Sequence, residues 1–310
     1  MNRELQDRST ATADIALLTD RRYTASQAAP DDWYLGNILH DDRLLQEALA
    51  GLGLSSVRLD WSDPAINWPD FRCAVFRTTW DYYERVPEFA DWLNRTEPQT
   101  QLCNNAALIR WNLDKHYLAD LEEQGIPIVP SLFLEPGTET DLHRLLSETG
   151  WKEAVLKPAI SGGARHTWRV NQQNAGEIAS LLKHLIPEES FLLQPFIQDV
   201  LHTGEITLMV IGGRYTHAVQ KLPKPGDFRV QDDHGGTVHA FVPTRDQIAL
   251  AEHAMAACPS PPAYGRVDLV RDRAGRWVVM ELEIIEPELW LRYHPPAAVD
   301  LAHAIANQMV

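Results

Sequence analysis

The stretch that most restricts this chain lies near its C-terminal end, where two apolar runs carry carboxylates. They read Gly265-Arg266-Val267-Asp268-Leu269-Val270 and Val278-Val279-Met280-Glu281-Leu282-Glu283-Ile284-Ile285-Glu286-Pro287. Each is apolar enough for a buried strand. Residues two apart in a strand share a face, so Glu281 and Glu283 project together. Residues 271–276 between the runs form a polar hairpin connection, which sets Asp268 beside both glutamates. Carboxylates converging at a core edge repel one another and resist desolvation. Magnesium, a hard ion that takes oxygen ligands and bridges phosphates, relieves that cost. An acidic strand face left in solvent is the other reading of this hairpin taken alone.

The bulk numbers narrow the class. A chain of 310 residues with 45% hydrophobic content suits two or three packed units. Lys plus Arg number 28 against 43 Asp plus Glu, a formal net charge of -15. Such a field repels nucleic acid and anionic membrane, so neither is expected as a partner. An anionic nucleotide needs a local basic pocket against it. Cys73, Cys103 and Cys258 lie far apart and in no metal-type spacing. The odd count and the lack of a recognisable signal peptide point to a reducing cytoplasm. No apolar run approaches the length of a membrane span.

Periodicity predicts a small α/β unit first. Residues 14–20 read as a buried strand, 32–51 as a helix stopped by Gly51, 56–60 and 73–76 as short strands, and 87–95 as a helix. This β-α-β-β-α order suggests one unit over residues 1–103, a second over 104–190 and a third over 191–310. In the second unit, helices are expected at 113–124, 141–149 and 175–185, and strands at 126–134 and 154–158. In the third, strands are expected at 191–197, 205–212 and 214–222. A long polar loop covers 223–237, a helix 244–257, then the acidic hairpin, and a last helix 296–309.

Several motifs carry chemistry. Lys157 ends an apolar strand before Pro158 and the loop Ser161-Gly162-Gly163-Ala164-Arg165. Small residues let backbone N–H groups approach phosphate oxygens while a lysine supplies a point charge. The Gly-Lys-Ser/Thr of a Walker loop is missing, and a merely solvated lysine is the alternative. Leu192-Leu193-Gln194-Pro195-Phe196-Ile197 offers backbone and an aromatic face to a purine, or is a core strand with a satisfied Gln. Glu205 opens the next strand, where a carboxylate can accept from a ribose. Lys221-Leu-Pro-Lys224 and the run from Gly226 through Arg229 and Gln231 to Gly235-Gly236 combine cations with an amide in a long loop. Arg229 suits charge building on a transferred phosphoryl group or an oxyanion, and a mobile surface loop is the alternative. Arg77 and Asp81, at the end of a strand, suit the two charged ends of an amino acid, or are a local ion pair under aromatic packing.

In this order the elements resemble the ATP-grasp superfamily, in its glutathione-synthetase-like branch. The matching pieces are Asn112-Leu113-Asp114-Lys115, Leu156-Lys157-Pro158, the 161–165 loop, Gln194-Pro195-Phe196, Gly204-Glu205, Arg229-x-Gln231 with Gly235-Gly236, Asp268, and Glu281-x-Glu283. They span about residues 104–290, and their ordered set is more specific than any one of them. Within the branch, Arg77-x-Thr79-Trp80-Asp81-Tyr82, Arg110-Trp111-Asn112-Leu113-Asp114-Lys115 and Glu281-Leu-Glu-Ile-Ile-Glu286-Pro287 resemble the group containing the D-cycloserine-forming cyclo-ligase. The resemblance implies an α/β and α+β architecture: a Rossmann-like N-terminal domain, then a two-lobed ATP-grasp fold. It implies that Lys115, Lys157, Ser161, Gly162 and Gly163 serve the ATP phosphates, that Gln194, Phe196 and Ile197 meet adenine, and that Glu205 meets the ribose. Asp268, Glu281 and Glu283 would bind two magnesium ions, with manganese an alternative. Arg229 and Lys221 would serve catalysis, and Arg77, Asp81, Arg266 and Glu286 the substrate. One departure matters: where glutathione synthetases often carry Asn, this chain has Glu283, with Glu286 following. The extra charge suits tighter metal binding or an amine substrate, and it argues against glutathione synthesis itself.

The expected activity is ATP- and magnesium-dependent joining of a carboxylate to an amine through an acyl phosphate, on a small amino-acid-like substrate. The amine belongs either to a second molecule or to the same one. The alternatives are a phosphotransferase with no amine acceptor and a nucleotide-sensing protein without turnover. Assembly into a homo-oligomer is left open.

Overall fold

The computed structural model describes residues 13–230 and 235–309. Four parallel strands open the chain: β1 (Ile15–Thr19), β2 (Ser56–Asp60), β3 (Cys73–Thr78) and β4 (Gln101–Cys103), in the order β2-β1-β3-β4. Helices α1 (Trp33–Gly51) and α2 (Val86–Thr96) cover this sheet. Strand alternation decides which residue meets which helix. Ile15, Leu17, Cys73 and Val75 pack in one core with Leu45 and Leu49 of α1. Ala16, Leu18, Ala74 and Phe76 pack in another with Phe89, Trp92 and Leu93 of α2. Asp32 caps α1 by accepting from the Leu35 amide. Strand β4 was not expected from the sequence.

The middle sheet has the order β5-β8-β6-β7, built from β5 (Leu132–Leu134), β6 (Glu153–Pro158), β7 (Trp168–Asn171) and β8 (Phe191–Pro195). Its strands are antiparallel throughout. Helices α5 (Leu142–Thr149) and α6 (Ala175–Leu185) share a core with it. Strand β8 pairs within this sheet, although the expected third unit begins with it at residue 191. The helix expected at 113–124 forms as the shorter α4 (Tyr117–Glu123), and a helix not expected, α3 (Ala106–Leu113), precedes it. The strand expected at 126–134 shrinks to three residues. Pro127 and Pro130 cannot donate to a ladder, and the preceding chain makes only an isolated bridge from Ile128 to Val279.

The third sheet has the order β11-β10-β9-β12-β13, with β9 (Glu205–Ile211), β10 (Arg214–Leu222), β11 (Thr237–Phe241), β12 (Tyr264–Arg271) and β13 (Trp277–Glu283). Strand β11 begins at Thr237, the last residue of the expected 223–237 loop. Helix α7 (Arg245–Ala256), entered through a capping box on Thr244 and Gln247, packs into the core of this sheet. Helix α8 (Pro296–Gln308) lies against α1. Residues of β1, β3, β9, α1 and α8 share one core, which fixes the first sheet against the third.

Candidate active site

The acidic hairpin forms as its sequence requires. Asp268 stands opposite Glu281, and Arg266 opposite Glu283. Strand β13 is held in place from outside the sheet. Asn112 Nδ2 donates to the Leu282 carbonyl at 2.8 Å, its Oδ1 accepts from the Ile284 amide at 3.0 Å, and Tyr117 Oη accepts from the Leu282 amide at 3.0 Å. Carboxylate oxygens of Asp268, Glu281 and Glu283 all lie within 4.8 Å of one another. Oxygen donors so arranged fit a hard divalent cation.

Cations surround the trio. Lys221 Nζ lies 2.9 Å from Asp268 and 2.8 Å from Glu205. Arg266 bonds Asp268 at 3.0 Å and also contacts Glu283. Lys115 lies 3.2 Å from Glu281 and donates to the Ser161 carbonyl at 2.7 Å. Burial would raise Asp268, but Arg266 and Lys221 outweigh it and hold its carboxyl well below the usual range. Burial likewise opposes ionisation of Glu281, and Lys115 and Lys157 prevail over it. Glu283 goes the other way: burial, with the neighbouring carboxylates, pushes it up to about 8 against Arg266. A cation placed among the three would relieve that repulsion. Burial also lowers Lys157, partly offset by Glu281.

These residues line a cavity of about 300 Å³ that all three units share. Of the residues expected at a nucleotide, Lys115, Lys157, Ser161, Gly162, Gly163, Gln194, Phe196, Ile197 and Glu205 line it. So do Lys221, Arg229, Arg266, Asp268, Glu281, Glu283 and Glu286. Gln194 is buried and donates to Ser131 Oγ at 3.0 Å. Phe196 carries the Arg169 guanidinium 4.0 Å above its ring. Arg229 pairs with Asp227 at 2.7 Å. Gln231 lies outside the described residues.

Arg77 and Asp81 do not join this cavity. Alternation along β3 puts Arg77 on the side of Val75, toward α1, where its Nε donates to Asp42 at 2.9 Å. Asp81 accepts from Trp61 Nε1 at 2.7 Å and pairs with Arg85. Both side chains thus turn into the first unit rather than to the cavity, with Arg77 Nη1 buried and without a hydrogen-bond partner among the described residues. Their place at the cavity is taken by Arg22, Tyr23, Tyr34, Trp80, Tyr82 and Tyr83. These follow β1 and β3 or open α1. A signal did exist: β1 and β3 are neighbours whose connections run to opposite sides, and ligands bind outside the carboxyl ends of strands at such a point.

Glu286 extends this wall. Trp80 Nε1 donates to its backbone carbonyl at 2.9 Å, and Tyr82 lies close enough to act on its carboxylate. Burial pushes its carboxyl from an ordinary 4.5 up to about 7, against Tyr82 and Lys115. A folded-state value above the unfolded one contributes stability below about pH 4.5, lost as pH rises toward about 7. Glu286→Gln should therefore raise the melting temperature of the ligand-free protein at pH 8 relative to the parent, and change it little at pH 4.5. Equal shifts at both pH values would show that Glu286 does not titrate in this window.

The comparisons with known proteins agree with this geometry. Residues 15–104 match the family described as D-cycloserine synthetase DcsG, N-terminal domain, and residues 137–258 the ATP-grasp domain of prokaryotic glutathione synthetase. The chain is 33% identical over 285 residues to the cycloserine biosynthesis protein DcsG of Streptomyces lavendulae, covering 86% of this chain and 92% of that one. The crystal structure of D-cycloserine synthetase DcsG superposes with a TM-score of 0.83 at 31% identity, over 96% of this chain and 99% of that chain. A D-alanine–D-alanine ligase from Bacillus anthracis, solved with ATP, shares the fold at a TM-score of 0.64 and 14% identity, covering 96% of this chain and 97% of that one. Among the described residues, no helix is long and apolar enough to cross a membrane.

Proposed function

Since the chain belongs to the D-cycloserine synthetase DcsG family of ATP-grasp ligases, we propose that it closes a ring: the carboxylate activated by ATP and the amine that attacks it belong to one small amino-acid-like molecule. The reaction type is ATP-dependent carboxylate–amine ligation. The observation that supports the cyclising reading is one cavity lined both by the trio of Asp268, Glu281 and Glu283 and by Glu286. A molecule held there presents its acid to the trio and its amine to Glu286 without leaving the cavity.

Lys115 and Lys157 face the phosphates, and the 161–163 loop brings small residues to them. Asp268, Glu281 and Glu283 would hold the divalent cation, two ions in our reading, which when bound neutralises phosphate charge. The γ-phosphoryl group passes from ATP to a carboxylate oxygen of the substrate, and ADP leaves with the electrons of the broken bond. Arg229 and Lys221 offset the charge that builds on the acyl phosphate. The amine lone pair then attacks the acyl carbon, the C–O bond to phosphate breaks, and inorganic phosphate leaves. Glu286 receives the amine end and takes its proton. The rest is positioning, which can supply much of the rate when both reacting ends are held in one site.

The test is ADP release over a panel of D- and L-amino acids and their side-chain amine derivatives, with mass analysis of products. Release driven by a single compound, with its own nitrogen joined to its acyl carbon, is the expected result. A requirement for a second amine would replace ring closure with intermolecular ligation. A stable phosphorylated product would indicate a phosphotransferase, and ATP binding without turnover a sensor.

A further inference from the structure

The loop of small residues at 161–165 is held from two sides. Its own unit anchors it: Lys115 bonds the Ser161 carbonyl at 2.7 Å, and Arg165 bonds the Ile160 carbonyl at 3.2 Å and pairs with Glu189. The other contact comes from the first unit. A methyl group at Gly162 would lie 2.5 Å from Cε1 and 2.7 Å from Cδ1 of the Tyr83 ring, and one at Gly163 would lie 2.8 Å from Tyr83 Oη. Gly163 has φ of 55°, where glycine is favoured for backbone reasons as well. Gly162 is not in the left-handed region. Its lack of a side chain matches the close approach of the Tyr83 ring instead.

Tyr83 sits in the turn Tyr82–Glu84 that leads into α2. Its neighbours in sequence reach the opposite wall of the cavity. Trp80 bonds the Glu286 backbone carbonyl at 2.9 Å, and the Tyr82 and Tyr83 rings meet edge to face at 5.7 Å. One short segment, residues 80–83, thus reaches both the backbone of Glu286, whose carboxylate we assign to the amine, and the loop we assign to the phosphates. We propose that Tyr83 is a positioning residue for the ligase reaction: its ring seats residues 162 and 163 and ties that seating to the 80–83 segment on the acceptor side. This rests on the ligase reading for its meaning, while the contact itself can be tested without nucleotide.

Two measurements decide it. The first is hydrogen exchange of the amides at 161–165 in the ligand-free protein. Tyr83→Ala should speed their exchange by about tenfold or more, because a packed contact that protects local opening is gone. Tyr83→Phe keeps the ring and should exchange like the parent. Unchanged exchange in Tyr83→Ala would overturn the seating. The second is a double-mutant cycle on ATP affinity by calorimetry. Gly162→Ala should weaken ATP binding about ten- to a hundredfold, the range that a forced overlap imposes. In the Tyr83→Ala background the same alanine should cost less than about twofold, because the ring it strikes is absent. Independent, additive losses would mean that the methyl obstructs the phosphates themselves, and would also overturn the proposal. In turnover, Tyr83→Ala should raise the ATP KM about tenfold, with Tyr83→Phe restoring it. If the parent bound no ATP, the ligase reading would fall while the exchange measurement still judged the contact.

Discussion

Glu281→Gln should lower kcat by about a hundred- to a thousandfold while the protein melts within a few degrees of the parent, the size expected when a preorganised charge at a phosphoryl-transfer site is removed. The expected stability follows from what Glu281 touches. Its side chain is a quarter exposed, and its ion-pair partner is Lys115 at 3.2 Å. Lys115 is buried but keeps the Ser161 carbonyl at 2.7 Å as a partner, so the variant does not strand it. Asp268 is a poorer choice for the test. It bonds Thr207 at 2.8 Å as well as Lys221 and Arg266, and it is almost fully buried. Neutralising it leaves two buried cations short of a partner, which confuses loss of folding with loss of activity. The measurement is ADP release against magnesium concentration for parent and Glu281→Gln. Parental turnover at parental magnesium would show that the trio does not hold the cation.

How far the site was legible from sequence depends on which kind of pattern carried each residue. The hairpin was legible because strand alternation is local: Glu281 and Glu283 must share a face, and a short connection sets Asp268 opposite. The first sheet was legible for the same reason, with α1 and α2 marked by their apolar faces. Strand β4 is only three residues long and gives almost no periodic signal. The break between α3 and α4 was hidden because Leu113 and Tyr117 continue a helical spacing, while Asp114 and Lys115 leave the helix. The Lys115 amide bonds the Ala159 carbonyl instead, which delivers its side chain to the cavity. Tyr23, Tyr34 and Trp80 were missed because aromatic residues beside apolar runs look like core. Only the parallel order β2-β1-β3-β4 brings the ends of β1 and β3 side by side. Arg77 shows the converse. The motif around it is legible, but the sequence there does not say that Asp42, 35 residues earlier, waits on the facing helix.

That placement makes Arg77 a residue of stability, and Arg77→Ala should destabilise the protein by about 3 kcal/mol or more, the usual result of removing one partner from a buried pair. Arg77 is 4% exposed and Asp42 1%. Asp42 would keep Arg58, at 2.7 Å, but would lose its second cation. Asp41, beside it, is held by Arg292 at 2.7 Å, and burial already raises its carboxyl while Arg292 and Arg77 act to lower it. Without Arg77 two adjacent buried carboxylates share fewer positive charges, and a void opens between β3 and α1. Arg77→Lys should fall between parent and alanine variant, since it keeps the charge but loses the planar fork. Neither substitution reaches the cavity. At a temperature where Arg77→Ala stays folded, the KM values for ATP and for the acceptor compound should remain within about threefold of the parent, less than one tenfold step in binding free energy. Thermal melts and steady-state kinetics on the same preparations separate the two roles. A variant that melts like the parent but needs far more of the amino-acid substrate would return Arg77 to the substrate and would mean that its pairing with Asp42 gives way when substrate binds.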